Sequence, residues 1–430
     1  MSVTGLLKDK NRLLGSILIL LLILLISSYA AIICVWFFLP TYNEPGEPCG
    51  TIDDFDRLRS LGYLDSFPIQ SDDLWKKGVL LHDSNLSYPG FNIFHNRSNG
   101  HILLLDNDGV VRHRWNVSND TIDFYPSIFT IIRLLGDGSI LVLNHEYSLS
   151  KISWDSELIW LREERFHHYV NTDEDGNIYV LSRERFALPW YLLKTPFLND
   201  FINILSPDGT TIKTIPVHRI LLDRVEKPRI LRLILNQIFS LGNPHVGDGT
   251  VSDIFHTNTI TILDRDVNGL GKKGDMLLCM RSLNIIVVID PDTEEVVWSW
   301  GQGTLDSPHN PTLLDNGNIL IFDNGYNRCY SRIIEVNPVT REIAWEYTAD
   351  PPTSFFSKIM GSSQKLPNGN VLITESTKGH VFEITHEGEV VWDFWSPDVR
   401  RDNTSRRVVF LMERISPDFI RSINKTITPG

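Results

Sequence analysis

A histidine on a stiff loop is the first residue that could do chemistry. His309 lies between Pro308 and Pro311, two residues that restrict the backbone around it. An Asn-Gly turn at Asn316 and a short apolar run then predict a strand. A loop that leads into a strand is a common place for a reactive side chain.

Three further stretches place polar side chains next to predicted strands. His167 and His168 precede the strand in FHHYVNTDEDGNIYVL. In DIFHTNTITIL, His256 and Asn258 are two residues apart, so an extended chain presents both on one face. Arg281 follows a strand in MRSLNIIVVID. If strand ends of one scaffold meet, three histidines, an amide and an arginine converge there.

The chemistry of this set favours an oxyanion over a metal. No aspartate is spaced for a serine triad and no serine elbow occurs. Three histidines can bind zinc, but the arginine among them would repel a cation. Arginine with histidines suits phosphate or sulfate, and neutral imidazole can attack phosphorus or sulfur to form a covalent intermediate. Each histidine taken alone is more often structural; the set of four on a repeat scaffold favours function.

The scaffold is a repeat of two half-motifs in strict alternation. One is a turn followed by an apolar run, found as NGHILLL, GDGSILVL, DGNIYVL, GDMLLCM, NGNILIF and NGNVLIT. The other is an apolar run, a polar turn and a strand that usually ends in tryptophan, found as LLLDNDGVVRHRW, KISWDSELIW, INILSPDGTTIKTI, VVIDPDTEEVVWSW, IIEVNPVTREIAWEY and VFEITHEGEVVWDFW. Six pairs of about four strands predict an all-β, six-bladed β-propeller over 78–397, with tryptophans packed between blades. The run GVLLHD from Gly78 is expected to close the ring.

One interval breaks this period. About 186–250 reads as an insertion, with a helical pattern from His218 to Gly242. We expect this helix to pack on the propeller rim; the alternatives are a lid over the channel or a surface that touches the membrane. Residues 398–430 are interpreted as a C-terminal tail that packs outside the propeller, with a short helix around 406–415.

The N-terminus predicts a membrane anchor. No charged residue occurs between Arg12 and Glu44, and 13–39 is long enough for a transmembrane signal-anchor helix. Lysines and arginine precede this span and acids follow it, so 1–12 is expected in the cytoplasm and the propeller outside it or in a lumen. Residues 40–77 are interpreted as a stalk.

Composition narrows the partners and the compartment. The net charge of −13 and the lack of a long basic run argue against nucleic acid. Of the cysteines beyond the span, Cys49, Cys279 and Cys329, at least one must stay unpaired within the chain. In a eukaryotic lumen, glycans are expected at the six Asn-X-Ser/Thr sites, Asn85, Asn96, Asn116, Asn119, Asn403 and Asn424.

From Gly78 to about Trp395 the chain resembles the arylsulfotransferase family, whose members use no nucleotide sulfate donor. The resemblance rests on PGFNIF with LLLDNDGVVRHRW, FHHYVNTDEDGNIYVL, HTNTITI, RSLNIIVVIDPDTEEVVWSWG, HNPTLLDNGNILIFDNG and LPNGNVLITESTKGHVFEITHEGEVVW. Family members resemble six-bladed propellers, in agreement with the repeat. The resemblance implies ping-pong transfer of a sulfuryl group from an aryl sulfate to a phenolic or other hydroxyl acceptor, without a cofactor or metal.

The resemblance also implies roles for individual residues. His309 would be the nucleophile, and His256, Asn258 and Arg281 would hold the sulfuryl oxygens. One of the pair His167/His168 would assist, with His168 preferred. Thr374 matches a threonine near the family's site, with Thr377 as the alternative.

The chain departs from the family in the membrane span, the insertion and Asn310, which stands where the family often has an acid. A large acceptor, such as a lipid or a glycan, would suit an anchored enzyme. Two other classes stay open: a non-catalytic binding propeller, and another hydrolase or lyase on the same fold.

Overall fold

The computed structural model describes most of the propeller but not the N-terminal region. The described residues are 66–96, 100–117, 130–186, 197–224, 253, 255–400 and 403–427. The predicted span 13–39, the tail before it and most of the stalk lie outside them. Within these ranges, no helix is long and apolar enough to cross a membrane.

Short strands dominate the fold, as the alternating turn and apolar segments predict. In chain order they are β1 (Ser66–Pro68), β2 (Gly78–His82), β3 (Phe91–Asn96), β4 (His101–Asp106), β5 (Val111–Asn116), β6 (Thr130–Leu134), β7 (Ile140–Asn144), β8 (Ser148–Ile152), β9 (Leu158–Glu163), β10 (Phe166–Thr172), β11 (Ile178–Phe186), β12 (Phe197–Leu205), β13 (Thr211–Pro216), β14 (Thr257–Ile262), β15 (Met276–Met280), β16 (Ile285–Asp290), β17 (Glu295–Trp300), β18 (His309–Leu313), β19 (Ile319–Asp323), β20 (Arg332–Val336), β21 (Ile343–Tyr347), β22 (Ser362–Lys365), β23 (Val371–Glu375), β24 (His380–Ile384), β25 (Val390–Trp395), β26 (Ser405–Arg407) and β27 (Glu413–Ile415). Among the described residues, two α-helices accompany them, α1 (Val217–Arg224) and α2 (Pro417–Ile427).

These strands form six antiparallel blades, which confirms the predicted six-bladed propeller. From the innermost strand outwards, the blades are β27-β3-β4-β5 (blade 1), β6-β7-β8-β9 (blade 2), β10-β11-β12-β13 (blade 3), β14-β15-β16-β17 (blade 4), β18-β19-β20-β21 (blade 5) and β22-β23-β24-β25 with β2 added at the outer edge (blade 6). In blades 2 to 6 the first half-motif is the second strand. In blade 1 it is the third strand, β4, because β27 occupies the innermost position.

The ring is closed from both ends of the propeller segment. The Gly78 strand pairs with β25 of blade 6, as expected of a closing strand. The second closure corrects the interpretation of 398–430 as an outer tail, because Glu413–Ile415 pairs with β3 inside blade 1. Nor is 406–415 helical: it holds strands β26 and β27, and the amphipathic helix α2 begins later, at Pro417.

A separate apolar cluster fills the space between each pair of neighbouring blades. Between blades 4 and 5, for example, Trp298 packs with Leu277, Ile286 and Ile321. Its indole N–H donates to the Pro338 carbonyl oxygen of the next blade (3.1 Å). Trp298 therefore fills the apolar gap between the two blades and also satisfies its polar atom across it.

The insertion is smaller than its predicted bounds. Residues 197–216 form β12 and β13, which complete blade 3, so the extra residues are 187–196 and those after Pro216. Of these, the structure describes α1, whose Val217 and Ile220 pack in the apolar cluster between blades 3 and 4. This packing agrees with the expected position on the rim. Most of the predicted helix 218–242 lies outside the described residues.

Candidate active site

The polar residues singled out in the sequence meet at one face of the ring. Innermost strands begin at this face and second strands end at it, because neighbouring strands are antiparallel. The residues at those strand ends are His167, His168, His256 and His309 on the innermost strands and His145, Arg183, Arg281 and Asn324 on the second strands.

Three of the innermost strands are bulged where they reach this face. The register shifts between His167 and Val170, between Thr257 and Thr259, and between His309 and Thr312. Three non-glycine residues in or next to the bulges have positive φ: His168 (58°), His256 (46°) and Asn310 (49°). Bulges change the direction of side chains at barrel rims. A non-glycine residue at positive φ costs of order 1–3 kcal/mol, so the rest of the fold must stabilise these conformations.

The hydrogen bonds of Asn324 fix the tautomer of His309. The side-chain amide nitrogen of Asn324 donates to the carbonyl oxygens of Ser357 (2.7 Å) and Met360. Its Oδ1 therefore faces His309 Nδ1 at 2.7 Å and can only accept. The Ser307 carbonyl oxygen, 3.2 Å from the same nitrogen, is a second acceptor. Nδ1 of His309 must carry the proton, which leaves the lone pair on Nε2.

The surroundings of His309 keep it neutral. The side chain is 5% exposed, and burial together with the nearby Arg281 charge lowers its pKa to about 3, although the hydrogen bond to Asn324 opposes the shift. An attacking imidazole must start unprotonated, so the lowered pKa keeps His309 in its reactive form well below neutral pH. Within the described part of the chain, Nε2 of His309 has no hydrogen-bond partner, so it is available for attack.

His256 is held by a carboxylate that the sequence analysis missed. Asp253 accepts from the backbone N–H of His256 (3.0 Å) and pairs with its Nδ1 (2.7 Å). Burial opposes ionisation of Asp253, but His256 and Arg183 outweigh it and lower the pKa of the carboxyl. Nδ1 of His256 therefore carries a proton, and Nε2 accepts in the neutral ring and donates only when the ring is protonated. Burial lowers the pKa of His256, although Asp253 opposes this shift.

His167 and His168 form a cluster with two more histidines. Their Nδ1 atoms are 2.7 Å apart. The His168 ring lies 4.6 Å from the His256 ring and 4.9 Å from the His145 ring. Burial lowers the pKa of His145, His167 and His168 well below the ordinary value. Imidazoles this close and this buried stay neutral.

Arg281 brings the positive charge of the site. Its backbone N–H donates to the His256 carbonyl oxygen (3.1 Å), which ties the arginine to the innermost strand of blade 4. Its Nε is buried without a hydrogen-bond partner, and no carboxylate of the described chain forms an ion pair with it. Burial lowers the pKa of the guanidinium. An unpaired, desolvated guanidinium attracts an anion.

The other predicted residues have mainly structural contacts. Asn258 is 2% exposed and donates to the Pro308 carbonyl oxygen (2.9 Å), so it braces the loop before His309. Thr374 lies at the same face in blade 6, where its hydroxyl accepts from the backbone N–H of Met412 (3.3 Å). The Thr377 backbone N–H donates to Ser357 Oγ (3.3 Å). Among the described residues, neither threonine bonds to a site histidine.

Asn310, the departure from the family pattern, bridges four blades. Its backbone N–H donates to Thr259 Oγ1 (3.1 Å), its Oδ1 accepts from the backbone N–H of Ser363 (2.9 Å), and its amide nitrogen approaches the Tyr169 hydroxyl (3.4 Å). An amide both donates and accepts here, whereas a carboxylate would only accept. Asn310 therefore stabilises the bulge next to His309.

Several site residues escaped the sequence analysis. Arg183 and Asp200 lie opposite each other on β11 and β12, which are nine residues long, so this hairpin of blade 3 extends beyond the other blades. Arg183 pairs with Asp253 (3.2 Å) and with Glu146. The available signals were an aspartate three residues before His256 and the charged pattern SRER after a strand. Neither is specific without the fold.

The arrangement can perform nucleophilic transfer of an anionic group. It offers a neutral imidazole with a free Nε2, an unpaired guanidinium and further histidines for proton transfer. Among the described residues, no group of three histidine, cysteine, aspartate or glutamate side chains is placed to hold a metal ion.

Comparison with known proteins agrees with this chemistry. The model of a family described as arylsulfotransferase (ASST) matches residues 132–397, which is more than half of the 430-residue chain. This match confirms the resemblance that the motifs indicate. No curated protein matches the sequence.

Similar solved structures are distant. A protein of unknown function from Bacteroides caccae is 13% identical, with 76% of this chain and 99% of that chain covered and a TM-score of 0.49. A streptogramin B lyase is 13% identical over 81% of this chain and 97% of that chain, with a TM-score of 0.43. A virginiamycin B lyase from Staphylococcus aureus is 15% identical over 63% and 71%, with a TM-score of 0.36. At these values none of the three informs on the activity of this chain.

Proposed function

The chain belongs to the arylsulfotransferase family, and on that premise we propose that it moves a sulfuryl group from an aryl sulfate ester to a phenolic or other hydroxyl acceptor through a covalent intermediate on His309. The family membership supports a sulfotransferase. The donor, the acceptor and the covalent step are the proposal.

The unpaired guanidinium of Arg281 carries the proposal. A partly buried positive charge without a carboxylate partner is unfavourable unless a ligand neutralises it, and Arg281 is partly exposed with its Nε buried. Arg281 and His309 lie at the same face of neighbouring blades, and the Arg281 charge contributes to the lowered pKa of His309. A sulfate ester bound by Arg281 would have its sulfur close to the free Nε2 of His309. This placement would join the nucleophile and the electrophile in one site.

The proposed reaction has two half-reactions. In the first, the lone pair of His309 Nε2 forms an N–S bond as the bond between sulfur and the aryl oxygen breaks, and the phenolate leaves. In the second, the acceptor hydroxyl gives its proton to a neighbouring histidine while its oxygen forms an O–S bond, the N–S bond breaks and the lone pair returns to Nε2. Charge spreads over the non-bridging oxygens in a loose transition state, which Arg281 would stabilise, together with His256 when both nitrogens of its ring carry protons.

Turnover with two simple substrates tests the proposal. Full-length protein in detergent is incubated with 4-nitrophenyl sulfate and phenol, and both nitrophenol release and phenyl sulfate formation are followed. We expect both products in equal amounts, with ping-pong kinetics. His309→Ala should form neither. His386→Ala, a change to an exposed histidine in a turn of blade 6, serves as the matched control and should retain both products.

Release of nitrophenol without phenyl sulfate would instead indicate a hydrolase. No reaction with any aryl sulfate and phenol pair, together with binding of an aryl sulfate, would favour the binding propeller.

We also propose that the enzyme is anchored in a membrane by 13–39 with the propeller on the non-cytoplasmic side. The charge asymmetry around the span supports this orientation. Cys329 is disulfide-bonded, which is typical of extracytoplasmic proteins, whereas Cys279 is buried and free. Of the glycan sites, Asn85, Asn116 and Asn403 are exposed. Protease added outside intact cells should digest the propeller; digestion only after the membrane is opened would contradict this orientation.

A further inference from the structure

A buried carboxylate lies behind the site and is not used in the mechanism above. Asp200 on β12 is fully buried. One of its oxygens, Oδ2, accepts from the backbone N–H of Thr257 (2.8 Å). The other, Oδ1, has no hydrogen-bond partner among the described residues. It lies 3.5 Å from His167 Nε2, which also lacks one. One proton shared between these two atoms would satisfy both.

The same histidine contacts the site on its other side. His167 Nδ1 lies 2.7 Å from His168 Nδ1, so one of the two nitrogens must donate and the other accept. His168 in turn lies against His256, and its Nε2 has no partner in the described chain. Asp200, His167 and His168 therefore form a continuous series of proton positions that ends at the site.

We infer that Asp200, through His167, sets whether His168 acts as an acid or as a base, and so stores the proton that the two substrates exchange. When Asp200 is ionised, it accepts from His167 Nε2–H. His167 Nδ1 then accepts from His168 Nδ1–H, and Nε2 of His168 is a base. When Asp200 is protonated, each of these hydrogen bonds reverses, and Nε2–H of His168 is an acid. Asp200 is thus a positioning residue.

This inference rests on the proposed function, and its protons balance over one cycle. In the first half-reaction, the leaving phenolate takes the proton from His168 Nε2. His168 Nδ1 takes a proton from His167 Nδ1, and His167 Nε2 takes one from Asp200, which ends ionised. In the second half-reaction, the acceptor hydroxyl gives its proton to His168 Nε2 and the transfers run backwards. The net change is one proton moved from acceptor to leaving phenol.

We call the series Asp200, His167 and His168 the relay. The charges around it are compatible with both the ionised and the protonated form of Asp200. Burial and the neighbouring Asp253 charge raise the pKa of Asp200 to about 7, although the hydrogen bond from the Thr257 backbone N–H and the Arg183 charge oppose the shift. Burial lowers the pKa of His167 and His168 well below the ordinary value, with further lowering by Arg183, His145 and His256. The imidazoles therefore pass a proton without keeping it, and the carboxyl can hold it near neutral pH.

Asp200→Asn tests the relay, because an amide cannot give up or take the proton. The assay uses two acceptors at pH 7: an electron-poor phenol that is already ionised, and an alkylphenol that is not. With 4-nitrophenyl sulfate as donor, we expect a loss of about 10²-fold in kcat for the alkylphenol. The loss for the ionised phenol should be below about threefold, since that acceptor has no proton to give. Equal losses for both acceptors would overturn the relay and leave Asp200 with a structural role.

Asp275 provides a closely matched control. It is a buried carboxylate of blade 4, with Oδ2 accepting from the Lys272 backbone N–H (2.8 Å) and Oδ1 lacking a hydrogen-bond partner. It does not contact the histidine cluster. Asp275→Asn should therefore affect both acceptors equally. An acceptor-dependent loss in Asp275→Asn would show that the kinetic signature is not specific to the relay.

Two measurements keep the test valid if Asp200→Asn does not fold or if aryl sulfates are not the substrates. In the wild-type protein, the solvent isotope effect on kcat should be large and non-linear in deuterium fraction for the alkylphenol and absent for the ionised phenol. Independently of turnover, the infrared spectrum should contain a protonated carboxyl band that titrates near neutral pH and is missing in Asp200→Asn. A wild-type protein without such a band, in which Asp200 stays ionised throughout, contradicts the relay whatever the reaction.

Discussion

The two halves of the ring use the same strand position in different ways. In blades 3, 4 and 5 the innermost strands are bulged and carry histidines or an asparagine at positive φ. In blades 6, 1 and 2 the corresponding strands β22, β27 and β6 pair in continuous register. Bulged innermost strands are therefore found, among the described residues, in the half that holds the candidate site, while the other half closes the ring.

Two desolvated arginines express the same contrast. Arg414, on β27, pairs with Glu383 (3.0 Å), donates to Asn92 (2.6 Å) and stacks on Trp392. Arg281 has no ion pair among the described residues. Burial lowers the pKa of both guanidiniums, that of Arg414 to about 10. The ion pair of Arg414 with Glu383 joins blade 1 to blade 6, where the ring closes, and we call this contact the seam. The guanidinium of Arg281, which has no such partner, can bind a ligand.

The largest expected change in the free energy of unfolding is at the seam between blades 1 and 6. Arg414→Met should lower the free energy of unfolding by about 3–5 kcal/mol, because it removes the only ion-pair partner that the buried Glu383 carboxylate has among the described residues and leaves it with hydrogen bonds from Tyr88 and Asn370. Urea unfolding of the full chain measures the change. The activity of the folded fraction should be nearly unchanged. Full stability in Arg414→Met would remove the distinction between the two halves.

Replacing the site arginine, Arg281, by methionine should have the opposite effect: a loss of activity with little loss of stability. Arg281→Met should lower kcat/KM by about 10²–10³-fold, as expected when a donor to the transition-state oxygens is removed. Its free energy of unfolding should stay within about 1 kcal/mol of the wild type, because no buried partner is left behind. Arg281→Lys should also lose much activity, since a point charge does not reproduce the planar fork. Unfolding of Arg281→Met at a much lower urea concentration would contradict an anion-binding role.

Asn324→Leu should show whether Asn324 orients the His309 ring without taking part in substrate binding. Without the amide oxygen, His309 is free to take the tautomer with a proton on Nε2, so we expect kcat to fall by about 10–100-fold with little change in KM. In wild-type protein, nitrogen NMR of the His309 ring should show protonated Nδ1 and unprotonated Nε2. The opposite tautomer would exclude Nε2 as the nucleophile in the resting state.

His380, on β24 of blade 6, offers a pH-dependent test of the stability of the half-ring formed by blades 6, 1 and 2. Its Nδ1 faces Glu375 (2.9 Å) and its Nε2 faces Asp393 (2.7 Å). Burial lowers its pKa, but these two carboxylates outweigh burial and raise it above the ordinary value. The folded pKa exceeds the unfolded one, so this stabilisation is complete below about 6.5 and is lost as pH rises through the folded pKa. His380→Gln should cost about 2 kcal/mol at pH 5.5 and less at pH 9; an equal cost at both values would contradict this.

The smallest expected effect is that of pH on the first half-reaction, whose rate should hardly change between pH 8 and pH 5. Because the pKa of His309 is about 3, this side chain stays unprotonated from pH 8 down to pH 5. The burst of nitrophenol from 4-nitrophenyl sulfate, whose leaving group needs no acid, should vary by no more than about twofold over that range. A burst that falls steeply below pH 6.5 would mean that the nucleophile has an ordinary histidine pKa.

The repeat fixed the architecture because each blade contributes its own turn and apolar run. That local signal predicts six blades and places His167, His168, His256, Arg281 and His309 at strand ends of one face. The closure by β27 was not predictable in the same way. Glu413–Ile415 is only three residues long and pairs with β3, which lies far from it in sequence. Such short strands carry little periodicity.

The supporting residues of the site were missed for a related reason. Asp200, Asp253 and Asn324 act through contacts that depend on side-chain direction and burial, and neither can be deduced from spacing alone. Asn324 belongs to the DNG segment that the motif analysis included, but its function follows only from the two carbonyl oxygens that orient its amide. Nucleophiles are recognisable by type, whereas the groups that orient them are ordinary polar residues until the fold brings them together.

The most direct test is the location of the sulfuryl group during turnover. Wild-type protein is mixed with excess 4-nitrophenyl sulfate in the absence of acceptor, quenched at alkaline pH and digested for mass spectrometry. We expect one added sulfuryl group on His309, absent in His309→Ala and removed when phenol is added before the quench. A sulfuryl group on His168, His256 or any other residue, or turnover through wild-type protein that never carries one, would contradict the assignment of His309 as the nucleophile.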